Sequence, residues 1–238
     1  MRNLFKKATD PYQYDNVEAN WQKYGIGLQN PTRANFWEYL KPLSSTWRGK
    51  NILDIGSGTG WLMKLALEQG AKSVLGIDPS RKNVELGRKL YPDVKLLEIT
   101  LEEFKSQCQY DISVALLSLV HIGDIEAGFK KIAQVLKSDG ELIVIVPDYD
   151  YSRKDRFDYK IAVEEVDNDE YIAIIERPGT TIVSIIRTTE KYTTFASRSG
   201  FTLIENKPLF PTGLLMQKNP RYRKMSSVAI AQLLRFRK

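Results

Sequence analysis

The stretch from Asn51 to Gly60 constrains the fold of this chain more than any other. It begins with a mostly apolar run of strand length, Ile52 to Ile55, and ends in alternating glycines, Gly56, Gly58 and Gly60. The residues that follow, 61–68, place apolar side chains at helical spacing. Glycines permit a sharp turn against which a ligand can lie, and a helix start offers free N–H groups and partial positive charge. The stretch therefore predicts a strand, a tight turn and a helix that together bind a ligand.

Two classes of nucleotide cofactor use such a turn, and glycine spacing separates them. A dinucleotide site has the spacing G-x-G-x-x-G, whereas here the third glycine comes one residue early and Trp61 takes the last position. A large indole there would obstruct the close packing of helix on strand. Asp54 stands two residues before the first glycine, and its carboxylate suits an ammonium group better than a phosphate. The pattern therefore disfavours a dinucleotide.

The run Leu53-Asp-Ile-Gly-Ser-Gly-Thr-Gly60 resembles motif I of the class I methyltransferases, which use S-adenosylmethionine. A glycine turn also occurs where nothing binds, because the turn itself needs glycine. The resemblance implies a methyltransferase with a Rossmann-like fold that binds S-adenosylmethionine and releases S-adenosylhomocysteine. It also implies cofactor contacts from the loop residues Asp54, Gly56, Ser57, Gly58, Gly60 and Trp61.

A second acidic residue fits the same cofactor. The predicted strand 73–78 ends in Asp78, eighteen residues after Gly60, and Pro79 follows it. An acid about 20 residues past the glycine turn is placed to accept the ribose hydroxyls, and a carboxylate has two oxygens for two donors. Alternatively, Asp78 caps the helix that starts near Arg81. With the glycine turn, Asp78 favours binding of S-adenosylmethionine.

The rest of the chain alternates between strand and helix patterns. Further strands are predicted at 94–98, 111–117 and 141–147, with helices at 83–90 and 129–136, the latter closed by a cap at Gly140. The segments 189–204 and 228–236 resemble the late helix and the last two strands of the family. The predicted fold is α/β, a doubly wound, mostly parallel sheet of seven strands, with a helical N-terminal lid and a β insertion after strand five.

Domain boundaries follow from breaks in this alternation. Residues 1–45 precede the nucleotide-binding unit and are predicted as a helical lid, and residues 46–238 are predicted as the methyltransferase domain. Within that domain, three β-rich runs separated by turn residues predict an antiparallel β insertion at 152–188. Such an insertion is expected to recognise the substrate, because the cofactor fixes the rest of the site.

The lid is rich in aromatic residues. In methyltransferases of small molecules, a similar segment that starts with Tyr-Asp folds over the cofactor, and here that pair is Tyr14-Asp15. Tyr14 and Trp21 are candidates to enclose the sulfonium through cation–π attraction. Arg33 is a candidate to pair with the methionine carboxylate. A helical hairpin that merely packs on the surface is an equal alternative.

Candidates for the reactive region come from the ends of later strands. Leu117, Ser118 and His121 follow strand four and are expected to border the reactive methyl group. His121, the only histidine, is the candidate general base, although a structural role is an alternative. Family members commonly place an acid where Thr100 stands, so adenine is expected to contact the backbone at Thr100 and Leu101. Tyr149 and Tyr151 follow strand five and are substrate candidates.

Composition limits the other classes of function. One cysteine and one histidine exclude a metal cluster of His and Cys, and the single cysteine fits a reducing cytoplasm. No apolar run approaches the roughly 18 residues of a membrane helix, so no membrane contact is expected. The net charge is +6, concentrated in the C-terminal residues 217–238. These form either a solvated edge or a basic rim for an anionic substrate.

Three hypotheses about function remain. The aromatic lid and the insertion favour O- or N-methylation of a small molecule or biosynthetic peptide, as in natural product biosynthesis, with a carboxylate among the candidate acceptors. The basic C-terminal segment alone favours an RNA methyltransferase, and nucleic acid is the less expected partner. A cofactor-binding regulator or an oxidoreductase is the third hypothesis. Monomer and homodimer are both compatible with the sequence.

Overall fold

A seven-stranded sheet forms the centre of the molecule, which a computed structural model describes for residues 2–15, 26–106 and 108–238. Its strands are β1 (Asn51–Ile55), β2 (Ser73–Asp78), β3 (Lys95–Glu98), β4 (Tyr110–Leu116), β5 (Leu136–Pro147), and two later strands at Thr202–Leu209 and Ala231–Arg237. The order of the first five across the sheet is β3-β2-β1-β4-β5, all parallel. The strand Ala231–Arg237 continues the sheet antiparallel to β5, and Thr202–Leu209 forms the edge beside it. The predicted doubly wound, mostly parallel sheet is confirmed.

Helices connect these strands and cover both faces. They are α1 (Arg2–Ala8), α2 (Pro31–Leu40), α3 (Trp61–Glu68), α4 (Arg81–Leu90), α5 (Ile125–Val135), α6 (Thr189–Arg198) and α7 (Gly213–Lys218). Short polar side chains fix several of the helix starts, because they accept hydrogen bonds from the first free N–H groups. Asn30 caps α2, Ser80 caps α4 and Asp124 caps α5 in this way.

Two apolar layers lie on opposite faces of the sheet. Neighbouring residues of β1 show the division, since Ile52 packs in one layer and Leu53 in the other, as the alternation along a strand requires. One layer contains the packed rings of Phe129, Phe201 and Phe236. The other layer includes Trp37 and Trp61. Burial on both faces explains the nearly continuous apolar runs of β1 and β4.

The predicted glycine cap after helix 129–136 is wrong. The helix α5 ends at Val135, and Leu136 is already extended. The main chain of Leu136 pairs with Tyr110 of β4, so residues 136–140 lengthen β5 past an irregularity in the register. Pairing with the neighbouring strand outweighs the local preference of glycine for a helix end.

A second sheet follows β5, where three β-rich runs stand in the sequence. Its strands are β6 (Lys160–Asp167), β7 (Glu170–Arg177) and β8 (Thr180–Arg187), in antiparallel order β6-β7-β8. Tyr171 and Ile186 on one face pack against Val120 of the main domain. Ile172 and Val183 on the other face pack against α1. The second sheet is thus held between α1 and the end of β4. We number the two late strands of the main sheet β9 (Thr202–Leu209) and β10 (Ala231–Arg237).

Within the described ranges, no helix combines the length and the apolar character needed to cross a bilayer.

Candidate functional site

A cavity of about 740 Å³ opens at the carboxyl ends of β1, β2 and β4. Ile55, Asp78 and Leu117 line it at those strand ends. Its other side is lined by the second sheet, including Ile175 and Ile182. The volume lies within the usual range for a ligand pocket. The cavity therefore lies between the sheet that carries the glycine turn and the inserted sheet.

The glycine turn is built for close approach of main chain. Gly56, Gly58 and Gly60 all have positive φ, of 73°, 56° and 78°. A side chain at Gly56 is also excluded by space, since an added Cβ would lie 2.3 Å from the Cβ of Ser118. Gly56 N–H donates to the carbonyl of Ile77 at 2.8 Å, which fixes the turn to β2. Gly56, Ser57, Gly58 and Trp61 line the cavity.

Asp78 is held under the turn by main-chain donors. One carboxylate oxygen accepts the N–H of Gly58 at 2.8 Å, and the other accepts the N–H of Ser80 at 2.9 Å. Burial raises the pKa of Asp78, against the lowering effect of these two bonds. The helix cap is Ser80 rather than Asp78, because the Ser80 hydroxyl accepts from the N–H of Asn83. Asp78 lines the cavity, and each of its oxygens retains capacity for another donor.

Asp54 lies deeper in the same region. Only 3% of its surface is exposed. Burial first, and then the negative charge of Asp78, raise the pKa of Asp54 to about 8. Asp54 is therefore largely protonated at neutral pH in the isolated protein, and a cation placed nearby would favour its ionised form.

Arg33 enters the cavity from α2 on the opposite side. Its guanidinium lies over the Trp61 ring, 5.9 Å from the ring centroid. Burial lowers the pKa of Arg33, which means that its charge is poorly solvated in this position. An anionic ligand group would offset that cost.

His121 and Tyr14 form a buried pair above the end of β4. The Tyr14 hydroxyl lies 2.9 Å from His121 Nε2, and His121 Nδ1 lies 3.3 Å from the carbonyl of Ala8. Gln13 Nε2 lies 3.0 Å from Nδ1 as well. When Nδ1 carries the proton it donates to Ala8, and Nε2 accepts from the Tyr14 hydroxyl. In the other tautomer Nδ1 accepts from the Gln13 amide, and Nε2 donates to the Tyr14 hydroxyl. Burial lowers the pKa of His121 to about 4 and raises that of Tyr14 to about 12, so both groups are neutral near pH 7.

The segment before His121 has a strained backbone. Leu117 has φ of +57°, which is unusual for a branched side chain, and its N–H donates to the carbonyl of Ile145 at 2.8 Å. The hydroxyl of Ser118 donates to the carbonyl of Ile55 at 2.6 Å. Both residues line the cavity. These bonds hold the end of β4 against the glycine turn in a conformation it would not adopt alone.

A buried arginine of the second sheet positions the turn that carries His121. Nη2 of Arg187 donates to the carbonyls of Ile122 and Gly123 at 2.9 and 3.0 Å. Nε of Arg187 donates to the Glu170 carboxylate at 2.6 Å, and the side chain is fully buried. The insertion is therefore tied by hydrogen bonds to the loop at the reactive end of the cavity.

The comparisons with known proteins agree with this geometry. Residues 53–144 match the family described as "Methyltransferase domain". The fold is similar to that of an S-adenosylmethionine-dependent methyltransferase from Mesorhizobium loti, with a TM-score of 0.70, 22% identity, and coverage of 87% of this chain and all of that one. Over residues 53–144 the chain matches a methyltransferase domain, and its fold is that of the class I S-adenosylmethionine-dependent methyltransferases.

Two curated relatives of this chain differ in what they act on. A tRNA U34 carboxymethyltransferase of Alteromonas mediterranea is 26% identical over 58% of this chain and 48% of its own length. A ubiquinone biosynthesis O-methyltransferase of Bradyrhizobium diazoefficiens is 35% identical over 40% of this chain and 39% of its own. The chain thus spans less than half the length of either relative that it matches.

S-adenosylmethionine is the cofactor of this methyltransferase family, and the chemistry of the cavity fits it. Arg33 offers a cation for its carboxylate, and Asp78 offers an acceptor for the ribose hydroxyls. Asp54, buried beneath the turn, would act on the ammonium through its charge and not by direct contact. Pro79, Thr100 and Leu101 line the neighbouring wall where adenine is expected. The Thr100 hydroxyl donates to Glu103 at 2.9 Å, so it is already engaged within its own turn. Among the described residues, no group of three or more His, Cys, Asp or Glu side chains is arranged to bind a metal ion.

The structure brings most of the predicted site residues together, with three exceptions among the described residues. Asp54 and Gly60 lie beneath the turn and do not line the cavity. Tyr149 does not line it either, since its hydroxyl donates to the carbonyl of Asn168 and its ring packs on Tyr171. Tyr151, by contrast, lines the cavity. Trp21 lies outside the described residues.

Several cavity residues were missed in the sequence. They are Gln13, Asn83, Arg156, Arg177, Ser184 and Tyr222. Arg221, which also lines the cavity, belongs to the basic C-terminal segment that was predicted as a possible rim for an anionic substrate. The run 149–159 offers a signal, because tyrosine, phenylalanine and arginine alternate there. Nothing in the sequence shows that Arg177 and Tyr222, from other segments, meet this run.

Proposed function

We propose that this protein transfers a methyl group from S-adenosylmethionine to an oxygen or nitrogen atom of a small molecule or biosynthetic peptide, in a reducing cytoplasm. Natural product biosynthesis is the setting that the predicted insertion favours. The observation that carries the proposal is the position of the second sheet. Ile175, Ile182 and Ile186 of the second sheet line the cavity, and so does the Tyr14–His121 pair, so the inserted sheet borders the space beside that pair.

The reaction is an in-line displacement. A lone pair of the acceptor forms a bond to the methyl carbon while the carbon–sulfur bond breaks, and the bonding electrons remain on sulfur. The bound cofactor supplies an activated methyl group on a positive sulfur. The chain supplies orientation and exclusion of water, which contribute several kcal/mol by fixing the reactants before they react. A proton leaves the acceptor only if the acceptor carries one.

His121 acts on the acceptor side as a neutral group. Because burial lowers its pKa to about 4, its imidazole is a weak proton acceptor near pH 7. Its hydrogen bond to Tyr14 joins the lid segment to the end of β4. We propose that His121 positions Tyr14 at the acceptor, and that the acceptor is a group that needs no strong base, such as a carboxylate or an unprotonated amine.

RNA is the alternative substrate, and the arrangement of the basic C-terminal segment weighs against it. Arg235 is paired with Glu141 and Glu205, both at 2.7 Å. The Lys238 ammonium donates to two main-chain carbonyls of the α5–β5 junction. Arg235 and Lys238 are thus engaged at the sheet edge rather than directed at a ligand. Tight binding to RNA needs several free cations along one surface.

Two experiments test the proposal. Isothermal titration calorimetry should show binding of S-adenosylhomocysteine and no binding of NAD, and the reverse result would reject the cofactor assignment. Filter binding with bulk RNA, at low and at moderate salt, should show no more affinity than an unrelated protein of equal charge. Affinity that falls steeply with salt, together with methyl transfer to RNA, would replace the small-molecule proposal by the RNA one.

A further inference from the structure

Three arginines stand at the acceptor side of the cavity, opposite the glycine turn. Arg156 follows β5, Arg177 ends β7, and Arg221 lies in the C-terminal segment. Aromatic rings stand among them, Tyr151, Phe157, Tyr159 and Tyr222, and all of these residues line the cavity. We call this group the arginine vestibule.

The positive charge of the vestibule is only partly compensated. Arg221 pairs with Asp158 at 2.7 Å. Arg156 donates to two main-chain carbonyls, of Tyr151 and Lys154, at 3.3 and 3.1 Å. Within the described ranges, neither Arg156 nor Arg177 has a carboxylate partner, and the buried Nε of Arg177 has no hydrogen-bond acceptor. A buried donor without an acceptor is costly, so a ligand group that accepts at this point would be stabilised.

The aromatic rings hold the guanidinium groups in place. The guanidinium carbon of Arg156 lies 4.3 Å from the ring centroid of Tyr151, and that of Arg177 lies 4.7 Å from the centroid of Tyr159. A guanidinium stacked on a ring keeps its N–H edge free for a planar acid, which it can bind as a fork. Phe157, which follows Arg156 in the sequence, has φ of +55°. This conformation is unusual for a bulky residue and persists only where the surrounding structure holds the backbone in place, as at many functional sites.

The vestibule shares its space with the Tyr14–His121 pair. Tyr14 and Arg177 both line the cavity, and the charge of Arg177 opposes the rise in the pKa of Tyr14 that burial causes. Ile175 and Ile182, near Arg177 on the second sheet, provide an apolar wall of the same cavity. A ligand that fills this region needs an anionic end and an apolar or aromatic body.

We infer that the substrate is a small aromatic carboxylic acid whose carboxylate is anchored by Arg156 and Arg177, whose ring packs among Tyr151, Tyr159 and the isoleucine wall, and whose methyl-accepting atom lies elsewhere on the molecule, beside Tyr14. This inference rests on the proposed methyl transfer, because it assigns the substrate class of the same site. A carboxylate fits better than a phosphate, since planar guanidinium edges are present and neither lysine nor a glycine-rich turn lines the vestibule among the described residues.

Ligand-observed NMR, on the protein saturated with S-adenosylhomocysteine, tests the inference. The probes are 4-hydroxybenzoate, its uncharged analogue 4-hydroxybenzamide, and phenyl phosphate. We expect the carboxylate to bind at least tenfold more tightly than the amide, and its affinity to fall with added salt. Equal affinity for acid and amide would overturn the inference, and so would a tenfold preference for the phosphate.

Variants locate the binding. Arg177→Gln and Arg156→Gln should each weaken 4-hydroxybenzoate at least tenfold and leave the affinity for S-adenosylhomocysteine unchanged, which also shows that the variants are folded. Arg223→Gln, an exposed residue of the same basic segment, is the matched control and should change neither affinity. Full binding of the acid by both vestibule variants would reject the assignment.

The two proposals can fail separately. A protein that does not bind S-adenosylhomocysteine rejects the methyltransferase function itself. A protein that binds it, but does not distinguish acid from amide, keeps the function and rejects only the substrate class. Transfer of a labelled methyl group to a panel of aromatic acids, but not to their amides, would support both.

Discussion

The cofactor side of the cavity is formed mainly by main-chain groups, whereas the acceptor side is formed by side chains. On the cofactor side, the turn 56–60 and the first N–H groups of neighbouring segments provide main chain, and Asp78 is fixed by two backbone donors. On the acceptor side, side chains from separate segments meet, including Tyr14 from the lid, Arg177 from β7 and Tyr222 from the C-terminal segment. The cofactor side therefore depends on local conformation, whereas the acceptor side depends on how distant segments pack.

This difference has a consequence for substitutions. A main-chain site tolerates almost no added volume where a new Cβ would meet backbone or a fixed neighbour, as at Gly56. Side-chain sites can be changed one residue at a time with the fold retained, since each contact comes from a different element. The substitutions below test whether the two sides differ in this way.

The largest effect is expected at Gly56. In Gly56→Ala the added Cβ would lie 2.3 Å from Ser118 Cβ at a residue with φ of +73°, so overpacking and backbone strain add. We expect a loss of about 3 to 5 kcal/mol in the free energy of unfolding, measured by urea denaturation, and no detectable binding of S-adenosylhomocysteine.

Two glycines serve as controls for this substitution. Gly58 and Gly200 also have positive φ, but nothing lies within 4 Å of a Cβ added at either position. Gly58→Ala and Gly200→Ala should each cost only about 1 to 2 kcal/mol of backbone strain. Equal losses of unfolding free energy at all three glycines would show that the close approach of Ser118 to Gly56 does not matter. The contrast between the main-chain side and the side-chain side of the cavity would then be wrong.

The second effect concerns pH and lies on the acceptor side. His121 has a pKa of about 4 in the folded protein against 6.5 in the unfolded chain. Between these values the unfolded chain binds more protons, so the stability that neutral His121 provides is complete above pH 6.5 and is lost as pH falls towards 4. The free energy of unfolding should fall by roughly 2 to 3 kcal/mol over this range. This figure is lower than the full pKa difference implies, because the imidazole ring keeps some exposure to solvent.

His121→Gln separates this contribution from that of the carboxylates. The variant should show a flatter dependence of unfolding free energy on pH between 6.5 and 4 than the wild type. The single histidine also gives a single set of imidazole NMR signals, which should not titrate between pH 5 and 8 in the folded protein. A titration midpoint near 6.5 would mean that the Tyr14–His121 pair is open to water.

A smaller effect is expected at Asp78, the acidic residue of the cofactor side that lines the cavity where the ribose is expected. Asp78→Asn should weaken S-adenosylhomocysteine about tenfold, because a charged acceptor for the ribose hydroxyls is lost. Asp93→Asn, an exposed acid paired with Lys64, is the control and should leave calorimetric affinity unchanged. Unchanged affinity in Asp78→Asn would remove Asp78 from the ribose role.

The same division decides what could be predicted from the sequence. The glycine turn, Asp78 and the strands that carry them are local features, so their periodicity and spacing are visible in the chain. The Arg156–Arg177 pair is not, because it forms only when β7 folds back beside the segment after β5. The end of α5 was misplaced for a related reason, since pairing of Leu136 with Tyr110 is a tertiary contact. The role of the lid as a cover for the cofactor stays a prediction.

The smallest effect is expected at Arg33. This residue contributes a side chain to the cofactor side of the cavity, which is otherwise built mainly from main chain. In Arg33→Lys the charge remains, but the stacking on Trp61 and the planar fork are lost. We expect S-adenosylhomocysteine to bind about three- to tenfold more weakly, and 5′-methylthioadenosine, which lacks the amino-acid end, to bind as it does to the wild type. Asp78→Asn should weaken the binding of both ligands, since both contain the ribose. Calorimetry with the two ligands on the two variants therefore assigns each residue to one end of the cofactor. Equal weakening of both ligands in Arg33→Lys would instead show that Arg33 shapes the pocket through Trp61 and does not bind the carboxylate.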